Sequence, residues 1–169
     1  MSKILAIIAP NEFRDEEYFI PKQILEQAGF SVESASLELG EIFGAGGRSV
    51  QIKLLVSDIN PTDYEAVYFV GGPGMIDLVS NQKLINLAKE FFKSGKITAA
   101  ICSAVGILAN AQILRNISAT SWSGMRTVLL QNGANVIPKP VVWSGKIITA
   151  EGPGAASEFA QNIIKAINS

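Results

Sequence analysis

The chain has 169 residues, no histidine and a single cysteine, Cys102. The absence of His removes Ser–His and Cys–His catalysis, imidazole metal sites and imidazole pH switching. A homo-oligomer cannot restore them, since every copy lacks the residue. One Cys excludes an intramolecular disulfide and makes a cytoplasmic location the expectation. Neither charge sign dominates: 14 Lys and Arg against 15 Asp and Glu leave a net charge of −1. That argues against nucleic acid or an anionic membrane as partner, because both need a basic surface. Long apolar runs are missing too. Lys3–Ala9 is apolar but too short for a membrane span, and it has no signal-cleavage pattern.

What is present reads as a folded protein. Hydrophobic residues make up 48% and charged residues 17%, which predicts one globular domain over 1–169. Strand-like and helix-like segments alternate, the pattern of a parallel α/β sheet. Strands are predicted at Lys3–Ala9, Ser31–Leu37, Ala66–Val70 and Ile97–Ile101, then at Ile117–Thr120, Val141–Trp143 and Lys146–Thr149. Helices are predicted from about Asp15 to Ala28, over Asn81–Ser94 and Ser103–Ile113, near Met125–Asn132, and over Ala155–Ile167. Leu39–Val56 carries Gly40, Gly44, Gly46 and Gly47 and reads as turns or a hairpin ending in a strand at Gln51–Leu55.

Three local signals bear on chemistry. In Ala100-Ile101-Cys102-Ser103-Ala104, small residues flank Cys102 at −2 and +2. That is the steric rule of a nucleophile elbow, where a strand turns sharply into a helix. A helix N-terminus there would favour a thiolate. The same pentapeptide also fits a small buried hydrophobe ending a core strand. Gly71-Gly72-Pro73-Gly74 follows a core strand. It fits an oxyanion hole made of backbone N–H groups, or an ordinary tight turn. Glu12, Asp15, Glu16 and Glu17 follow the first strand, where an α/β sheet opens its ligand crevice. A carboxyl there can face Cys102, or simply stabilise a helix start.

These signals, in this order, resemble the ThiJ/PfpI superfamily of intracellular peptidases and deglycases. The likeness extends through Asn11-Glu12-Phe13, Glu17 four residues before Pro21, Thr120-Ser121-Trp122, Glu151-Gly152-Pro153-Gly154 and Glu158-Phe159-Ala160. It implies a flavodoxin-like three-layer sandwich, a mostly parallel sheet with helices on both faces and a nucleophile elbow. It implies Cys102 as nucleophile, Glu17 as the carboxyl bonded to it, and Gly72 with Ser103 as oxyanion donors. It places Gly71, Arg48, Trp122, Gly152 and Pro153 around the pocket. It implies no cofactor or metal, and a homodimer or larger homo-oligomer.

The chain departs from the family at two points. Ser103 stands where peptidase-like members carry His after the nucleophile, and Trp122 stands where deglycase-like members carry His. Peptide hydrolysis suffers most, because its amine leaving group needs a proton. A Cys102–Glu17 couple suits addition to a small reactive carbonyl. In that reading a protonated Glu17 donates to a Cys102 thiolate. A redox-responsive protein working through Cys102 oxidation is the non-enzymatic alternative.

Overall fold

The computed structural model describes residues 1–169. In chain order, β1 (Lys3–Ile7) leads to α1 (Asp15–Gln27), β2 (Ser31–Ala35), β3 (Gly40–Phe43), β4 (Ser49–Ile52) and β5 (Ala66–Phe69). Next come α2 (Pro73–Ile76), α3 (Gln82–Lys93), β6 (Ile97–Ile101), α4 (Val105–Asn110), β7 (Ser118–Ala119) and α5 (Arg126–Gln131). The chain continues with β8 (Asn135–Val136), β9 (Val141–Ser144), β10 (Ile147–Ala150) and α6 (Ala156–Asn168).

Six strands form the central sheet in the order β2-β1-β5-β6-β10-β9. All neighbours are parallel except β9, which pairs antiparallel with β10. Helices cover both faces, so the inner strands read as continuous apolar runs rather than alternating ones. Ile4, Ala6, Tyr68 and Ile101 pack on one face with residues of α1 and α6. Leu5, Ile7, Phe69 and Ala100 pack on the other with α3, α4 and α5. The result is a three-layer, flavodoxin-like sandwich. Helix α3 shows the sequence logic most clearly. Leu84, Ile85, Leu87, Ala88 and Phe91 are buried at helical spacing. Asn81 caps the start through the N–H groups of Lys83 and Leu84, and Gly95 ends it at φ 74°.

Several boundaries differ from the sequence expectation for identifiable reasons. The second strand stops at Ala35, because the Ser36 backbone turns to pair with the Leu54 carbonyl and the Val56 N–H. The helix expected to reach Ile113 ends at Asn110, ahead of a left-handed Gln112 at φ 63°. Pro73–Ile76, expected as a turn, closes into one helical turn. The glycine-rich stretch is the hairpin β3–β4.

The strand order changes direction between β1 and β5, and an α/β sheet opens its crevice at such a point. The hairpin locks one side of this crevice. Glu12 N–H donates to the Phe43 carbonyl and Ala45 N–H to that of Phe13, both at 2.8 Å. The buried Asp15 carboxylate accepts the N–H groups of Gly46 and Arg48 at 3.0 and 3.1 Å. A Cβ on Gly44 would lie 1.9 Å from Asp15 Oδ1, so only glycine lets the turn close on that carboxylate. Asp15→Ala is expected to lower stability by about 2–3 kcal/mol, the worth of hydrogen bonds to a charged acceptor. A shift in the urea midpoint at unchanged slope checks this.

Candidate functional site

Four loops meet at the carboxyl ends of β1, β5, β6 and β10, and each brings residues to one place. Strand β6 ends in extended Ile101, and Cys102 then takes φ 62°. A non-glycine residue in the left-handed region is strained, and a nucleophile elbow carries that strain at its nucleophile. Ala100 and Ala104 are fully buried on either side, where larger side chains would collide. Cys102 itself is 8% exposed.

Glu17 lies beside it. It belongs to the first turn of α1 and has no exposed surface. Gly71 makes the approach possible, as the floor beneath the pair. A Cβ at Gly71 would lie 2.7 Å from both Cys102 Cβ and Glu17 Oε1. The Cys102 thiol and Gly71 N–H lie near enough to act on the carboxyl electrostatically. Neither Glu17 oxygen, however, has a partner of good hydrogen-bond geometry.

The electrostatics follow from this enclosure. Burial pushes the Glu17 carboxyl up to about 7, against smaller opposing pulls from Cys102, Arg14 and Gly71. Burial, then the Glu17 charge, pushes the Cys102 thiol up to about 12, while the Ser103 and Gly72 N–H groups pull it down. The expectation of a favoured thiolate is therefore corrected. The turn after Cys102 is a 3-10 segment, and α4 has only six residues, too little helix to offset burial beside a carboxyl. Burial disfavours the charged form of both groups, and the two titrate as one coupled pair.

A cavity of about 250 Å³ opens over Cys102 and Ser103. Gly72, Trp122 and Pro153 line it as the sequence implied, and Ile76 and Glu151 complete its rim. Trp122 is 38% exposed and is tied to the elbow by its N–H on the Cys102 carbonyl at 3.3 Å. Gly72 and Ser103 are cross-linked: Gly72 N–H donates to Ser103 Oγ at 3.2 Å, and Ser103 Oγ donates to the Gly72 carbonyl at 3.0 Å. The hydroxyl thus holds the two prospective oxyanion donors in register. Gly152 is buried behind Glu151 and Pro153 and does not line the cavity.

Arg48 is a second correction. Its guanidinium lies 3.4 Å over the Phe19 ring, in a separate surface cleft with Lys22 and Glu26. Asp15 captures its backbone N–H and the hairpin carries the side chain away from Cys102. The cation in the cavity wall is Arg14, which the sequence reading passed over inside an acidic run. Its place, three residues before Glu17 in the loop after β1, was the available signal. A larger cleft of about 540 Å³, lined by Tyr18, Lys22 and Glu33 among others, lies apart from Cys102. No group of three or more Cys, Asp or Glu side chains is placed to hold a metal.

Glu17 makes stability depend on pH. Its folded value of about 7 exceeds its ordinary 4.5, so the folded state holds the proton more tightly. The contribution is complete below 4.5 and is lost as pH rises through about 7. Glu17→Gln, which stays neutral, is expected to exceed the wild type in stability by up to about 3 kcal/mol near pH ~8. That advantage should vanish near pH ~4, where both side chains are neutral. Paired thermal melts at the two pH values check it.

The DJ-1/PfpI family profile matches residues 2–166. Deglycase PfpI of Pyrococcus furiosus is 32% identical, over 96% of this chain and 98% of its own length. The putative cysteine protease YraA of Bacillus subtilis is also 32% identical, over 94% of this chain and 95% of its own. The crystal structure of a ThiJ/PfpI domain protein from Brachyspira murdochii superposes with a TM-score of 0.96 at 38% identity, covering 98% of this chain and 96% of that one. On this match in sequence and fold, the chain belongs to the DJ-1/PfpI family.

Proposed function

We propose that this protein is a cysteine-dependent enzyme acting on small reactive carbonyls, converting a 2-oxoaldehyde such as methylglyoxal to a 2-hydroxy acid. The observation that supports this most is Glu17, a carboxyl with no exposed surface packed beside the strained Cys102, which burial pushes up to about 7. A proton carrier works best when its pKa lies near the operating pH.

The steps balance without a cofactor. The Glu17 carboxylate takes the thiol proton as Sγ bonds to the aldehyde carbon, and that proton passes to the carbonyl oxygen, giving a hemithioacetal. Glu17 then removes the C1 hydrogen as a proton and returns one at C2. The C1 hydroxyl gives its proton to the C2 oxygen, so that C1 becomes a thioester carbonyl and the C2 ketone becomes an alcohol. The Ser103 N–H would stabilise oxygen charge in the enediolate, while the Gly72 N–H is held by Ser103 Oγ. Water cleaves the thioester, releasing the hydroxy acid and restoring the thiol.

Two features favour this chemistry over its rivals. A cavity of about 250 Å³ suits a small molecule, being smaller than usual drug-sized pockets. A peptide would also need a proton for its leaving amine, and Ser103 replaces the His that peptidase-like relatives carry. Deglycase, the activity in the name of PfpI, concerns the same class of carbonyl adduct.

Purified protein incubated with methylglyoxal should release lactate. Cys102→Ser should abolish turnover, and Glu17→Gln should lower kcat by about 10²-fold or more. Lactate formation no faster than in Cys102→Ser would sink the reading. Because Glu17 must be ionised to accept the thiol proton, kcat/KM should rise with pH through about 7 and then level off. That rise should be absent from the residual activity of Glu17→Gln.

A further inference from the structure

Arg14 enters the wall of the Cys102 cavity from the loop ahead of α1. It is half-buried, and its Nε is buried with no hydrogen-bond partner. It makes no salt bridge, the ion pairs of this chain being Lys3–Glu33 and Lys22–Glu26, although the Glu17 carboxyl behind it feels its charge. A guanidinium partly out of water with an orphaned N–H keeps donor capacity toward the cavity that the fold does not use. Its placement is fixed by the backbone. Arg14 N–H donates to the Gly71 carbonyl at 3.0 Å, and the next residue, Asp15, is clamped by the hairpin. A Cβ on Gly72 would lie 2.4 Å from Arg14 N, so the two loops are in direct contact. Glu151, the other charge on the cavity, is exposed, and solvent and salt screen it.

We propose that Arg14 is a specificity-determining residue: the cavity selects carbonyl compounds that also carry a carboxylate, which pairs with the guanidinium while the carbonyl carbon meets Cys102 Sγ. This rests on the carbonyl reading of the same site and narrows it. The bonds made and broken are those of the 2-oxoaldehyde reaction, and the carboxylate stays intact. The cavity of about 250 Å³ has room for both functions in one small molecule, since it equals roughly eight water volumes. Planar guanidinium N–H groups fit a carboxylate in a way that a lysine point charge does not.

Cys102 is the chain's one thiol, so its alkylation reads the site without any turnover. The probes are iodoacetate and iodoacetamide, alike in reaction and different in charge, with 2-mercaptoethanol as the free-thiol reference. The ratio of the two rates should be on the order of tenfold higher in the wild type than in Arg14→Gln, the effect of one charge-assisted contact. Arg14→Lys, which keeps the charge, should hold an intermediate ratio and guards against a folding artefact. Equal ratios in the wild type and both variants would overturn the proposal. Turnover of 4,5-dioxopentanoate, an anionic 2-oxoaldehyde, is then compared with that of methylglyoxal by kcat/KM. A preference for the dioxopentanoate that disappears in Arg14→Gln supports the proposal in full. A raised alkylation ratio with neither compound consumed supports the anion contact and overturns the carbonyl reading. Consumption of both without preference keeps the carbonyl reading and overturns the role of Arg14.

Discussion

A carboxyl group with no exposed surface and no well-formed hydrogen bond resists ionisation, and Glu17 is held in that condition against the one thiol of the chain. Water would relax the constraint, and the fold keeps water away. Helix α1 supplies the carboxyl, β6 supplies the sulfur, and Gly71 lets the two approach by lacking a side chain. Burial lifts both groups, the carboxyl to about 7, and the carboxylate charge adds to the burial of the sulfur. The absence of His matters less once this is seen. An acid displaced to about 7 covers the pH range that imidazole normally covers.

The rest of the site supports that pair. Cys102 stands at φ 62° because buried Ala100 and Ala104 leave room for a turn and because Trp122 N–H holds its carbonyl. Ser103, next to the nucleophile, cross-links to Gly72. The hairpin β3–β4 acts at one remove. By gripping Phe13 and Asp15 it fixes the loop that precedes Glu17 and carries Arg14. Structure and chemistry share residues here, so Asp15 and Gly44 bear on the site without touching the cavity.

Much of this was legible in the amino-acid order, where the signal is local. The apolar runs of β1, β5 and β6, the α3 stripe and the small residues around Cys102 obey periodicity and steric rules acting over a few residues. Glu17 was legible through its place after the first strand and its distance from Pro21. What escaped depends on groups far apart in sequence. Gly47-Arg48 resembled a pocket arginine, but Asp15, 33 residues earlier, binds the Arg48 backbone and the side chain stacks on Phe19. Arg14 was hidden among acids, although the loop that carries it was identified. The neighbouring carboxyl was legible too, but the depth of burial that raises the sulfur is set by groups far apart in sequence.

The account stands on the titration of Glu17 inside the folded protein. Infrared difference spectra of the wild type against Glu17→Gln, taken across a pH series, follow its carboxyl stretch directly. A protonated band that disappears with a midpoint near 7 is the predicted result. A midpoint near the ordinary 4.5 would contradict the account, because Glu17 would then be a solvated carboxylate and not the proton carrier beside Cys102.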